Sequence, residues 1–324
     1  MEHFADRLLA AIEEAGSPAC VGIDPVIERL PEELRTEPGG RDPAGGEADA
    51  ADEAIQSGAG AAALQRAAEA IEAFGRGVVE AVRGIVPAVK PQVACFERYG
   101  SAGFEAYEHV VSAARAAGLV VIGDVKRSDI GTSAAHYAAG HLTAAGAPDA
   151  VTVSGYLGDD GLTPFVAAAR EAGKGVFILV RTSNPSAGRV QDVADADGRK
   201  LFEHVADVVA VLGDGEGLIG ERGYSCVGAV VGATYPDEAG ALRERMPRQL
   251  FLVPGYGAQG GTAEDCRAAF KADGIGAIVN ASRSVIYPPG AGGDWRGAIR
   301  EAAQAFAADV ARAAKAERRN PSDE

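Results

Sequence analysis

Three segments of the sequence bring lysines and carboxylates together at a spacing that suits proton transfer. Asp124, Lys126 and Asp129 fall within Gly123-Asp124-Val125-Lys126-Arg127-Ser128-Asp129-Ile130, Lys90 lies in Val89-Lys90-Pro91-Gln92, and Asp24 in Gly22-Ile23-Asp24-Pro25. In extended backbone, residues two apart point the same way, so Asp124 and Lys126 share a face. Carboxylates beside an ammonium keep it charged, and such a group can stabilise a developing negative charge and then hand over a proton. Any one of these residues is most simply a surface ion pair. Five charges at three successive strand ends are harder to explain that way, because partly buried charges cost stability unless they are partnered or used.

A second chemistry lies further along the chain. Pro254-Gly255-Tyr256-Gly257-Ala258-Gln259-Gly260-Gly261 is followed by Thr262, a side chain suited to cap a helix, and Asn280-Ala281-Ser282-Arg283-Ser284 supplies one guanidinium. Glycine-rich backbone that exposes N–H groups, next to an arginine fork, describes a phosphate cradle. The ligand read from these residues is a phosphate ester.

Each segment follows a short apolar run, and eight such runs recur: 20–23, 88–90, 120–124, 150–153, 176–180, 227–231, 250–253 and 277–279. Helical stretches alternate with them at 63–82, 104–117, 133–145, 163–172, 201–212 and 263–272. Strict alternation implies parallel strands joined by right-handed crossovers, and eight units in 324 residues predict a single (β/α)8 TIM barrel. In that fold the carboxyl ends of the strands form the active-site face, and the phosphate site sits after strands seven and eight. Extra terminal helices are expected to pack on the barrel, with Phe4, Leu8, Ile12 and Ala15 on one face and Ile299, Ala303, Phe306, Val310 and Ala313 on the other. The acidic, Gly/Pro-rich stretch 36–60 is expected to be a mobile, solvated insert in an otherwise single domain, and 184–198 a second excursion.

Composition excludes several classes. With 46 Asp+Glu against 31 Lys+Arg the formal net charge is -15, which disfavours binding to nucleic acid or anionic membrane. Neither a basic amino-terminal segment nor a long apolar span occurs, so secretion and membrane insertion are not expected and a cytoplasmic location is. Cys20, Cys95, Cys226 and Cys266 form no CxxC pair, and His136 and His141 stand five apart rather than at metal-binding spacing. The histidines are expected on a helix surface or an interface.

Taken together, Asp124-Val125-Lys126-Arg127-Ser128-Asp129-Ile130-Gly131 and the segments around Asp24, Lys90, Gln259 and Arg283 resemble orotidine 5′-monophosphate decarboxylases of the larger-chain bacterial subgroup. The resemblance spans roughly residues 4–288. It implies a cytoplasmic carboxy-lyase of pyrimidine biosynthesis that forms uridine 5′-monophosphate and CO2 with no metal or cofactor. Asp24 and Lys90 would bind ribose hydroxyls, with Lys90 also bridging to Asp124, and Lys126 would protonate C6. Asp129 would reach the active site of a partner subunit, making a homodimer, and Ser133 would face the ribose across that interface. Ser183 would meet the pyrimidine amide, while Gln259, Gly260 and Arg283 would hold the phosphate. Three rivals remain. A metal-dependent relative acting on keto-gulonate or hexulose phosphates would want a carboxylate where Lys90 stands. A tryptophan-biosynthesis-type barrel would share the phosphate end alone. A silent nucleotide binder would have lost Lys126 or its acids.

Overall fold

The computed structural model describes residues 2–35, 60–257, 260–290 and 292–315. Eight parallel strands close into one barrel in sequence order: β1 (Ala19–Ile23), β2 (Ala88–Pro91), β3 (Val120–Arg127), β4 (Ala150–Ser154), β5 (Gly175–Arg181), β6 (Ser225–Val231), β7 (Gln249–Val253) and β8 (Ala277–Ala281). β1 pairs with both β2 and β8, which closes the ring. All eight predicted runs are strands, each extended by one to three residues.

Strands covered on both faces should read as continuous apolar runs rather than alternating ones. β1, β6, β7 and β8 are buried along their whole length. The helices that cover them are α1 (Phe4–Ala15), α2 (Gly60–Val82), α3 (Gly100–Ala116), α4 (Gly131–Ala138), α5 (Asp159–Ala172), α6 (Leu201–Gly213), α7 (Pro236–Arg245) and α8 (Trp295–Lys315). Each buries an apolar stripe, as in α3 with Ala106, Tyr107, Val110, Val111 and Ala114.

The terminal helices behave as packing elements. Phe4 of α1 meets Phe177 of β5 edge-on at 6.0 Å. Gly175, at the start of β5, leaves room for the Phe4 ring, which any side chain there would strike. α1 therefore lies at the amino-terminal end of the strands, opposite the mouth. Ile12 and Ala15 are only partly buried, whereas all five apolar positions named on α8 are buried.

Three readings change. The helix at 133–145 divides into α4 and a π-helical turn, Ala139–Thr143, centred on Gly140 and His141. His141 is buried there rather than on a surface. The stretch 263–272 holds only Ala263–Cys266 and a 3-10 turn, Arg267–Ala269, because Phe270 leaves helical backbone to bury its ring. The insert at 36–60 lies outside the described residues except for Gly60, which opens α2.

Candidate active site

A cavity of about 420 Å³ opens at the carboxyl ends of the strands. At its base Asp124, 5% exposed, sits among four donors. Its Oδ2 accepts from Lys90 Nζ and from Gln92 Nε2 at 3.0 Å, and its Oδ1 accepts from Lys126 Nζ and from the Thr152 hydroxyl at 2.8 Å. Burial alone would raise its pKa, but the two ammoniums outweigh that and hold the carboxyl well below the ordinary range. Burial would likewise lower Lys90, yet Asp124 and then Asp24 raise it above a normal lysine. Each therefore holds the other in its charged form. Replacing Asp124 would take from the buried Lys90 ammonium its ion-pair partner, typically a loss of about 3–5 kcal/mol, whereas replacing Lys90 would leave Asp124 paired with Lys126.

Lys126 reaches this cluster by a route that simple strand alternation does not describe. Opposite β4, Gly123 pairs with Val151 and Arg127 with Val153, so β3 bulges between them. Lys126 has φ +44°, the sole positive value at a non-glycine among the described residues. Such backbone costs about 1–3 kcal/mol and clusters where a side chain must be re-aimed. Lys126 is the more exposed partner of the Asp124 pair, its side chain 46% accessible against 7%, and it lines the cavity.

The other expected residues divide. Asp24, Ser183 and Arg283 line the same cavity, and Asp24 Oδ1 is buried without a hydrogen-bond partner. Gly255, Gly257 and Gly260 all have positive φ; the Gly257 N–H donates to the Gly261 carbonyl, and the Gly261 N–H to that of Gly255. Gly260 is exposed and does not line the cavity, and Gln259 lies outside the described residues. Thr262 does cap a helix, accepting from Asp265 N at 3.2 Å, but that helix has four residues. The phosphate reading thus rests on the glycine loop and Arg283. Asp129 and Ser133 do not line this cavity. Asp129 is half-buried, its Oδ1 accepting from Ile130 N at 2.8 Å, and Ser133 is exposed on α4.

Several residues of the site do not stand out in the sequence. Gln92 and Thr152 complete the shell around Asp124. Asn280 lines the cavity with a buried, unpartnered Oδ1, next to Gly22, where a side chain would strike Ser282. Arg181, 1% exposed, is held by Glu238 at 2.6 Å and Asp192 at 3.1 Å and lies 3.9 Å from the Tyr235 ring centroid. Gln191 then binds Thr182 through both backbone N–H (3.1 Å) and hydroxyl (2.7 Å). These contacts fix the turn that carries Ser183 to the cavity wall.

Known proteins are similar to this chain in sequence and architecture. The family model described as orotidine 5′-phosphate decarboxylase / HUMPS family matches residues 76–291. A Rhodopirellula baltica protein named orotidine 5′-phosphate decarboxylase is 43% identical over 89% of each chain. A Deinococcus radiodurans protein of the same name is 50% identical over 71% of this chain and 80% of its own. The structure of Leishmania donovani OMP decarboxylase superposes with a TM-score of 0.69 at 28% identity, covering 97% of this chain and 100% of that one. With the closed eight-stranded barrel, these matches establish that the chain belongs to the orotidine 5′-phosphate decarboxylase / HUMPS family.

Proposed function

We propose that the protein is an orotidine 5′-phosphate decarboxylase, forming uridine 5′-monophosphate and CO2 without metal or cofactor. The observation that carries this reading is the Lys90–Asp124–Lys126 cluster at the base of the cavity. When the bond from C6 to the carboxylate breaks, its electron pair stays on C6 in the plane of the ring. No imine or thiazolium delocalises it, so stabilisation must be electrostatic. Lys126, fixed by Asp124, places an ammonium there, donates its proton to C6, and recovers one from water. Asp124 keeps that ammonium charged and lies where the substrate carboxylate must leave.

Asp24 and Lys90 bind the ribose, Ser183 the pyrimidine amide, and Gln259, Gly260 and Arg283 the phosphate. The phosphate is remote from the breaking bond, so its binding free energy can position the ring. A family branch that uses a divalent cation would need free carboxylate oxygens. Here both oxygens of Asp124 are already occupied by lysines and their neighbours, and a cation at Lys90 repels the ion. Among the described residues no group of three or more His, Cys, Asp or Glu forms a metal site.

The active unit is a homodimer in which Asp129 and Ser133 serve the partner's site. Supporting this, Ile130, Tyr137, Tyr156 and Leu157 expose large apolar side chains; Ile130 adjoins Asp129, and a side chain at Gly161 would meet both the Asp129 carbonyl and Leu157. No helix among the described residues is long and apolar enough to cross a membrane, and a biosynthetic enzyme of this kind acts in the cytoplasm. The test is to follow loss of orotidine 5′-monophosphate absorbance with chelator in excess. Turnover that persists supports the metal-free decarboxylase; turnover abolished by chelator and restored by Mg2+ overturns the metal-free reading, and folded protein inert on this substrate under both conditions favours a binder or the metal-dependent branch that acts on sugar phosphates.

A further inference from the structure

Between Val151 and Val153, the two β4 residues that pair across the β3 bulge, stands Thr152, 2% exposed and lining the cavity. Its hydroxyl makes two bonds of opposite sense. It accepts from the backbone N–H of Lys126 at 3.1 Å and donates to Asp124 Oδ1 at 2.8 Å. The first replaces a strand partner that the bulge takes from Lys126, whose backbone is in the left-handed region. The second orients the same carboxylate oxygen that grips Lys126 Nζ. One hydroxyl thereby ties the main chain of the lysine to the acid that aims its side chain. A valine of the same shape would leave a buried N–H without a partner and free Asp124 to rotate about its remaining bonds.

Resting on the decarboxylase reading above, we propose that Thr152 is a positioning residue for proton transfer: its hydroxyl holds Lys126 in the left-handed bulge and locks Asp124 against it. Thr152 acts through Lys126 and Asp124 rather than on a reacting atom. Its effect belongs in kcat rather than in nucleotide affinity.

The experiment compares Thr152→Val, which removes the hydroxyl and keeps the shape, with Thr152→Ser, which keeps the hydroxyl and removes the methyl. Misplacing a reacting group by about an ångström can cost about 100-fold, so kcat of Thr152→Val should fall about 10- to 100-fold with KM within about three-fold. Affinity for uridine 5′-monophosphate should be unchanged, and Thr152→Ser should recover to within about three-fold of wild type. A second readout needs no decarboxylation: exchange of the C6 hydrogen of uridine 5′-monophosphate with deuterium from solvent, which passes through Lys126 alone. It should slow in the valine variant and recover in the serine variant. The proposal is overturned if Thr152→Val turns over at the wild-type rate, if Thr152→Ser is as impaired as Thr152→Val, or if nucleotide affinity falls while kcat holds. Should Thr152→Val not fold, a serine variant more than ten-fold impaired overturns it alone. Wild-type protein without turnover would instead overturn the decarboxylase reading.

Discussion

Asp124 is charged because it is crowded with donors, and it is crowded because a carboxylate buried between two ammoniums cannot remain half-satisfied. Removing the more exposed lysine should therefore spare the fold. Lys126→Ala leaves Asp124 bound to Lys90, Gln92 and Thr152. We expect turnover to vanish while binding of uridine 5′-monophosphate stays measurable by calorimetry, since the ammonium acts on the transition state more than on the bound nucleotide. Near-normal turnover would remove Lys126 from its role as proton donor. Arg283→Ala should act in the opposite sense, weakening phosphorylated ligands and hardly affecting the nucleoside. A charge-assisted bond to phosphate is typically worth about 1.5–3 kcal/mol, a loss of about 10- to 100-fold in affinity. Equal losses for nucleoside and nucleotide would place Arg283 elsewhere. At this scale charges were legible and neutral partners were not. Lys90, Asp124 and Lys126 declare themselves as charges closing apolar runs. Thr152 in Ala-Val-Thr-Val-Ser reads as an ordinary strand residue, and only the register across the bulge gives its hydroxyl a purpose.

Elements were legible where periodicity alone decides them, and less so where a single buried side chain overrides it. The eight strands follow from their apolar runs. The bulge in β3 and the π-turn after α4 do not, since each depends on what packs against it. These two irregularities are joined by side chains. His141, in the π-turn, accepts a hydrogen bond from Arg127 Nε at 3.2 Å, and Arg127, at the end of β3, pairs with Glu97. Burial, with the Arg127 charge added, pushes the imidazole down from 6.5 to about 4. His141 thus stays neutral in the fold at pH values where it would take a proton in the unfolded chain. The unfolded state binds more protons between those two values, so stability is full above about pH 6.5 and is lost as pH falls toward about 4. The expected outcome is a difference in thermal midpoint between wild type and His141→Gln that shifts against wild type across that interval. Parallel midpoint curves would show that His141 does not carry this linkage.

A site shared between subunits, as proposed, would be a property of the whole molecule, and no periodicity within one chain encodes it. Asp129 leaves the end of the same strand as Lys126 yet does not line the cavity that Lys126 lines. A two-fold axis uses one surface twice, so a loop that crosses it completes two sites at once. Mixing two inactive variants tests this. Let Asp129→Ala and Lys126→Ala subunits exchange until pairing is random. About half of the dimers are then mixed. In each mixed dimer one site inherits both defects, while the other combines intact Lys126 with intact Asp129. Half the sites in half the dimers are sound, so about a quarter of wild-type activity should return. If both residues served one site from one chain, every mixed dimer would hold two damaged sites. Activity that stays at the level of the separate variants, after exchange has been demonstrated with differently labelled subunits, would rule out the shared site.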